Sequence, residues 1–256
     1  MRTTTEKIRV GLTTIDNVDY EDVFDQVRSA VESGGRMSAL YANAHIVRLI
    51  KKNNELRRAL DRADVVFPDG TGVWLASKLL NFPGFKKRFN WTDHGHRFLA
   101  ECEERGWSIY FIGATPDAIE KAERNIKRLY PNLKFLGAMN GFEDVERSDV
   151  VERVNAVAPD VLYVGMGSPK QEVWIDRHYG ELNVRVAQAV GDLFTFFAGS
   201  KVRGPRLFQR LGLEWAFRLV RHPRRYFVRY VWGIPVFLWM TLVAFARKAV
   251  GKQPWG

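Results

Sequence analysis

Residues 160–174 read Asp160-Val161-Leu162-Tyr163-Val164-Gly165-Met166-Gly167-Ser168-Pro169-Lys170-Gln171-Glu172-Val173-Trp174, and this stretch decides the fold. Asp160 to Val164 reads as a short buried strand. Gly165, Gly167 and Pro169 then make a bend that only small or φ-restricted residues fit. Lys170, Gln171 and Glu172 follow at the mouth of the next helix. A charged and an amide side chain are thereby set beside free backbone N–H groups at the carboxyl end of a strand. Open α/β sheets bind ligands there, and a helix N-terminus favours an anion. The same residues also suit an ordinary strand–turn–helix corner with a solvated Lys and Glu.

Working outward, short apolar runs alternate with longer helical stretches. Strands are expected over Arg9–Thr13, Ser38–Ala42, Val65–Phe67, Ser108–Ile112, Lys134–Ala138, Val161–Val164 and Val184–Ala189. Helices are expected over Tyr20–Ser33, Ala44–Asn53, Glu55–Ala63, Gly72–Leu80, Gly95–Arg105, Pro116–Tyr130, Arg147–Ala158 and Gln171–Tyr179. The alternation predicts an α/β fold: a Rossmann-like parallel sheet with helices on both faces. Thr115-Pro116 supplies an N-cap with proline in the first helical position, and Gly106 a helix stop.

The pattern changes near residue 200, so the chain divides into an α/β core over 1–200 and a helical appendage over 201–256. The appendage carries twelve Lys and Arg against one acid, Glu214, a net charge of +11, while the core is close to neutral. Basicity spread over the whole chain would invite a nucleic-acid partner. Confined to one segment, it points to a local anionic target instead. Within the appendage, residues 230–246 hold no charge across 17 positions, the lower limit for a spanning helix. Gly233, Pro235, two tryptophans and flanking bases favour a segment that lies in or dips into an anionic bilayer surface. A true span, or a helix buried in a core or a dimer, is the competing reading. Exposed aromatics here would also favour a homo-oligomer in water.

The start, MRTTTEKIRV, lacks the apolar run of a signal peptide, which reads against export. Cys102 is the single cysteine, so no intramolecular disulfide forms. Five histidines and one cysteine show no zinc-ligand spacing, and no metal site is expected. A phosphate-binding GxxxxGK[ST] loop is absent. Gly165-x-Gly167 lacks the third glycine of the dinucleotide fingerprint, so no nicotinamide or other cofactor is expected.

Asp69 follows a short strand and precedes Gly70 and Gly72, which let a ligand approach. A carboxylate there is a general base or a helix N-cap. Tyr41 and Asn43 end another strand, where Asn43 either binds a ligand or caps the helix. His45 reads as a first-turn residue rather than a catalyst. Arg88, Asn90 and Asp93 are expected in a loop between helices, as ligand contacts or a surface turn. Gly113 and Thr115 form a second strand–turn–helix corner that suits a phosphate. The sequence has no Asp-x-Asp pair; if the substrate is a nucleotide-sugar, the charge of its leaving group has to be met by cationic side chains, with the arginine-rich appendage as their source.

Four motifs, in order, resemble those of the WecG–TagA–CpsF glycosyltransferases, which build bacterial surface polysaccharides and teichoic acids. They are Asn43-Ala44; Ala63-Asp64 with Pro68-Asp69-Gly70-x-Gly72; Gly165 to Glu172 with Trp174; and Arg203-x-Pro205 through Arg210-Leu211-Gly212-Leu213-Glu214-Trp215, Arg218-Leu219 and Pro223-x-Arg225. The resemblance runs from about Gly11 to Arg229. It implies an inverting, metal-independent transferase that moves a sugar from a UDP-sugar onto an undecaprenyl-diphosphate-linked saccharide. The work would be done peripherally at the cytoplasmic face of the inner membrane, with an appendage that docks there and closes over the site. By resemblance Asp69 is the base. Arg218 and Arg225 meet the departing diphosphate with Arg221 and Arg224 beside them, Arg203 and Arg206 join the substrate contacts, and Gln171 with nearby backbone holds the donor. A non-catalytic, membrane-anchored assembly factor is the alternative.

Several positions depart from the family's pattern. Tyr41 replaces a threonine, His45 a glutamate, His222 the glutamate before Pro223, Asn90-Trp91 a Thr-Gly pair, and Asp192 and Thr195 a glycine and an aspartate. They imply a donor other than the common N-acetylmannosamine, with a glucosyl or glucuronosyl unit expected.

Overall fold

The computed structural model describes residues 5–142, 145, 149–200, 204, 208, 214–221 and 223–255. At its centre are six parallel strands: β3 (Met37–Ala42), β4 (Val65–Pro68), β5 (Ser108–Gly113), β6 (Lys134–Met139), β7 (Val161–Gly165) and β8 (Val186–Ala189). Their order across the sheet is β4-β3-β8-β7-β5-β6. β3, β4, β7 and β8 are buried at every position, because helices cover both faces of the sheet. The expected α/β architecture is therefore the observed one.

The first expected strand is corrected. Arg9–Thr13 is not a member of the parallel sheet but the turn region of a separate antiparallel hairpin, β1 (Lys7–Val10) and β2 (Thr13–Asp16). Gly11, at φ +68°, makes the reversal. The burial of β1 alternates between exposed and buried, as in a strand with one solvated face. Asp16 stitches the hairpin to the sheet: its Oδ2 accepts from the Val66 amide at 2.8 Å and its Oδ1 from Thr5 Oγ1 at 3.0 Å.

The helices that position the site are α1 (Tyr20–Glu32), α2 (Ala44–Leu49), α3 (Asn54–Arg62), α4 (Thr71–Leu80), α5 (Trp91–Arg105), α6 (Pro116–Leu129), α7 (Val150–Val157), α8 (Lys170–His178) and α9 (Leu193–Phe197). Three differ from expectation. α2 ends at Leu49, four residues short of Asn53, which instead caps α3 by accepting from the Leu56 amide at 2.9 Å. α5 begins four residues earlier than Gly95, because Asn90 Oδ1 accepts from the Thr92 amide at 2.9 Å and caps it. Asn90 and Asp93 thus sit at a helix start and not in an open loop. The aromatic run Leu193–Phe197 forms a short helix that the sequence reading did not anticipate.

The described part of the appendage is α10 (Glu214–Arg221), α11 (Pro223–Phe227), a π-helical segment Val228–Trp232, and α12 (Gly233–Ala249). α12 lies against α2 and α4, with Phe237, Thr241 and Ala244 buried. Val228–Ala249 is long and apolar enough to cross a membrane, yet one third of its most apolar window is buried against the protein. The π segment has a sequence cause. Pro235 lacks an N–H and cannot continue the i→i−4 ladder. The Gly233 amide instead reaches back to the Val228 carbonyl, an i→i−5 bond.

Candidate active site

The loops that follow β3, β4, β7 and β8, four neighbouring strands, converge at the carboxyl edge of the sheet. They surround a cleft of about 540 Å³ whose outer wall is the appendage. The volume suits a small-molecule ligand.

Asn43 leaves β3 and caps α2. Its Oδ1 accepts from the amides of His45 and Ile46 at 3.0 and 3.1 Å, and its Nδ2 donates to Asp69 Oδ2 at 3.0 Å. An aspartate would cap equally well but would repel Asp69. Only an amide fills both roles. Asp69 leaves β4, with its own amide donating to the Ala42 carbonyl at 2.9 Å. Gly70 follows at φ +81° with open space where a Cβ would stand, as does Gly167 at φ +78°. These two glycines border the cleft and leave room for a ligand.

Two of the other three glycines expected to meet substrate, Gly113 and Gly165, do not line the cleft. A Cβ on Gly113 would lie 2.2 Å from the Gly165 carbonyl oxygen, and one on Gly165 would lie 2.7 Å from the Phe194 ring. Both serve close packing of β5, β7 and α9. Thr115 caps α6 through the Ala118 amide at 3.4 Å and is exposed. Lys170 reaches the Gly141 carbonyl at 3.2 Å, outside the cleft. Pro169 opens α8 and Asp93 is exposed, and neither lines the cleft.

Gln171 and Glu172 are completely buried. Gln171 Oε1 accepts from the amides of Gly167 and Gly191, each at 3.2 Å, and its Nε2 donates to Tyr41 Oη at 2.9 Å and Glu172 Oε1 at 2.7 Å. Glu172 Oε1 also accepts from Ser168 Oγ at 2.8 Å. This network ties β3, β7 and β8 together beneath the cleft floor. Burial raises the Glu172 carboxyl above its ordinary 4.5, against the lowering effect of the Gln171 and Ser168 hydrogen bonds. Tyr41, packed on Phe67, forms the floor itself. Burial first, then the charges of Glu172 and Asp69, hold its phenol protonated well above the usual range.

Arg88 and Asn90 line the cleft with Gly72, and Arg88 Nη1 donates to Thr71 Oγ1 at 3.1 Å. His45 also lines it, and burial, assisted by Arg229 and then Arg48, pushes its imidazole down to about 4. It is therefore neutral near pH 7.

Of the arginines expected to meet the substrate or its leaving group, Arg203 and Arg206 lie outside the described residues. Arg218 and Arg225 fall on α10 and α11, but their side chains lie outside the description. Arg221 and Arg224 are exposed and away from the cleft. The sequence reading missed Arg229, which lines the cleft and acts by charge on Tyr41, His45 and Glu172. Its spacing was a usable signal: it stands four residues after Arg225. Also missed was Tyr226, whose Oη donates at 3.3 Å to Oδ2 of Asp192, one of the departures noted in the sequence, and joins the appendage to the core.

Fold and cleft together define a Rossmann-like α/β protein with a mixed acidic and basic ligand site at the carboxyl edge of its sheet. The chain belongs to the glycosyl transferase WecG/TagA/CpsF family, whose profile matches residues 8–251. Among its relatives is the N-acetylglucosaminyldiphosphoundecaprenol N-acetyl-beta-D-mannosaminyltransferase of Staphylococcus aureus strain MW2, 28% identical over 253 residues and covering 98% of this chain and 97% of the relative. The counterparts in strains NCTC 8325 / PS 47 and MRSA252 match equally, at 28% over the same span.

Proposed function

We propose that the protein transfers a sugar from a UDP-sugar to a saccharide carried on undecaprenyl diphosphate, with inversion and without a metal ion, at the cytoplasmic face of the inner membrane. The observation that carries this reading is the juxtaposition in one cleft of Asp69, held by Asn43, and Arg229, with open backbone at Gly70 and Gly167. The relatives' names supply the class of acceptor.

In this mechanism the acceptor hydroxyl gives its proton to Asp69 and its oxygen attacks the anomeric carbon. The bond from that carbon to the UDP oxygen breaks on the opposite face, and the electron pair leaves with the diphosphate. Arg229, with Arg218 and Arg225 as further candidates, offsets the developing negative charge. Asn43 positions the carboxylate.

The test is Asp69→Asn, assayed with a panel of UDP-sugars and a synthetic polyprenyl-diphosphate-sugar acceptor. Loss of the base lowers turnover by about 10²- to 10⁴-fold, while the melting temperature holds because the new carboxamide can still accept from Asn43. Full turnover in the variant would refute the base. A wild-type enzyme that transfers from no UDP-sugar would refute the reaction.

A further inference from the structure

We propose that α4, a helix of the core, forms half of the membrane-docking surface and meets the acyl layer of an anionic bilayer beside α12. Leu75, Leu79 and Phe82 stand at i, i+4 and i+7, one stripe along α4 and its C-terminal turn. All three are exposed, Phe82 at 87%. The opposite face of α4, with Val73, Ala76, Ser77 and Leu80, is buried in the core. α12 repeats the spacing: Leu238, Leu242 and Phe245 point outward while Phe237, Thr241 and Ala244 point in.

The two helices run side by side in the same sense. At their starts a Cβ on Gly72 would lie 3.5 Å from the Phe237 ring, and at their ends Lys248 Nζ donates to the Leu80 carbonyl. The stripes therefore merge into one apolar plate, larger than single scattered residues would make.

Charge selects the partner. Residues 70–92 carry Lys78, Lys86, Lys87 and Arg88 and no acid, Lys86 and Lys87 being paired with Asp22 and Asp19 of the core, and residues 215–256 carry eight bases and no acid. An apolar plate bordered by bases matches an acyl layer beneath anionic head groups. Leu75 and Leu238 belong to both the plate and the cleft wall, so docking through this plate sets the cleft's mouth at the bilayer surface. That last step rests on the transferase reading; the docking surface itself does not.

The test is co-sedimentation of the full chain with vesicles of phosphatidylcholine and phosphatidylglycerol. Leu79→Ser combined with Phe82→Ser should lower the vesicle partition coefficient about tenfold, with turnover of a water-soluble, short-chain acceptor unchanged. Phe82→Ser alone, at a turn position in full solvent, should give a smaller loss in the same direction without touching the fold. Wild-type partitioning in both variants would overturn the proposal. So would a loss of self-association in lipid-free buffer with vesicle binding intact, because the plate would then be an interface between copies. A wild type that binds vesicles but turns over no acceptor would count against the transferase reading, and vesicle binding would still decide this one.

Discussion

Gln171→Met should destabilise the ligand-free protein strongly, and the size follows from the bonds it breaks. Gln171 is completely buried and makes four hydrogen bonds. Methionine fills a similar volume, so the cavity contribution is small. The Gly167 and Gly191 amides, both in half-buried residues, then lose their acceptor, at about 1–3 kcal/mol each, or about 2–6 kcal/mol together. For a chain of this size that lowers Tm by about 5–20 °C. Scanning calorimetry without ligand measures it. Gln171→Glu is the matched control. It keeps an oxygen for the two amides but sets a second carboxyl beside Glu172, so one of the two must stay protonated. Its melting temperature should approach the wild-type value at acid pH and fall as pH rises. A Gln171→Met protein that melts within about 2 °C of wild type yet fails to bind donor would refute the reasoning, and would make Gln171 a ligand contact rather than a brace.

Two further perturbations address the same network. Glu172 is raised above its ordinary carboxyl value by burial, so between the unfolded and folded values the native state holds the extra proton. Stability is then lost as pH rises through that window, and the full penalty stands above it. Glu172→Gln should therefore melt higher than wild type near neutral pH and converge with it below about 4.5; parallel Tm curves across pH 4–8 would contradict this. Gly191→Ala places a methyl 2.8 Å from Tyr41 Oη at a φ of +61°, whereas Gly167→Ala meets open space at φ +78°. Both carry the backbone strain of about 1–2 kcal/mol, but only Gly191→Ala should also displace Tyr41, so it should melt lower and lose more turnover than Gly167→Ala. Equal losses would show that the Tyr41 contact has no consequence.

The parallel sheet was legible because β3, β4, β7 and β8 are short apolar runs bounded by Gly, Pro, Asn or Asp, the pattern of strands buried on both sides. The hairpin was not, since Gly11 interrupts what otherwise reads as one run, and only its left-handed φ reveals the reversal. The placement of Asn43 and Asp69 at strand ends was legible because position after a strand is a property of local sequence. The glycines were not separable this way. Gly113 and Gly165 look like Gly70 and Gly167 in sequence, but their role depends on how closely β5 and β7 approach. Gln171 and Glu172 turn inward because α8 starts directly over Gly191, a residue 20 positions away. No local pattern encodes that register.

The cleft takes residues from both sides of position 200. The core supplies the carboxylate and its amide brace; the appendage supplies Arg229, the Tyr226–Asp192 contact and the wall made by Phe237. Arg229 faces inward on a π-helical segment set by Gly233 and Pro235, so those two residues aim a cation as well as break a hydrophobic run. An appendage that served only as an anchor would not need its inner face in the main apolar core, yet Phe237 is part of that core. A surface that binds the outer face of α12 only while α12 is packed adds its binding free energy to the packed state. On the docking proposed above, the contact that holds the protein on a membrane would also complete the cleft, and a site lacking it would keep Asp69 but lose Arg229 from its wall.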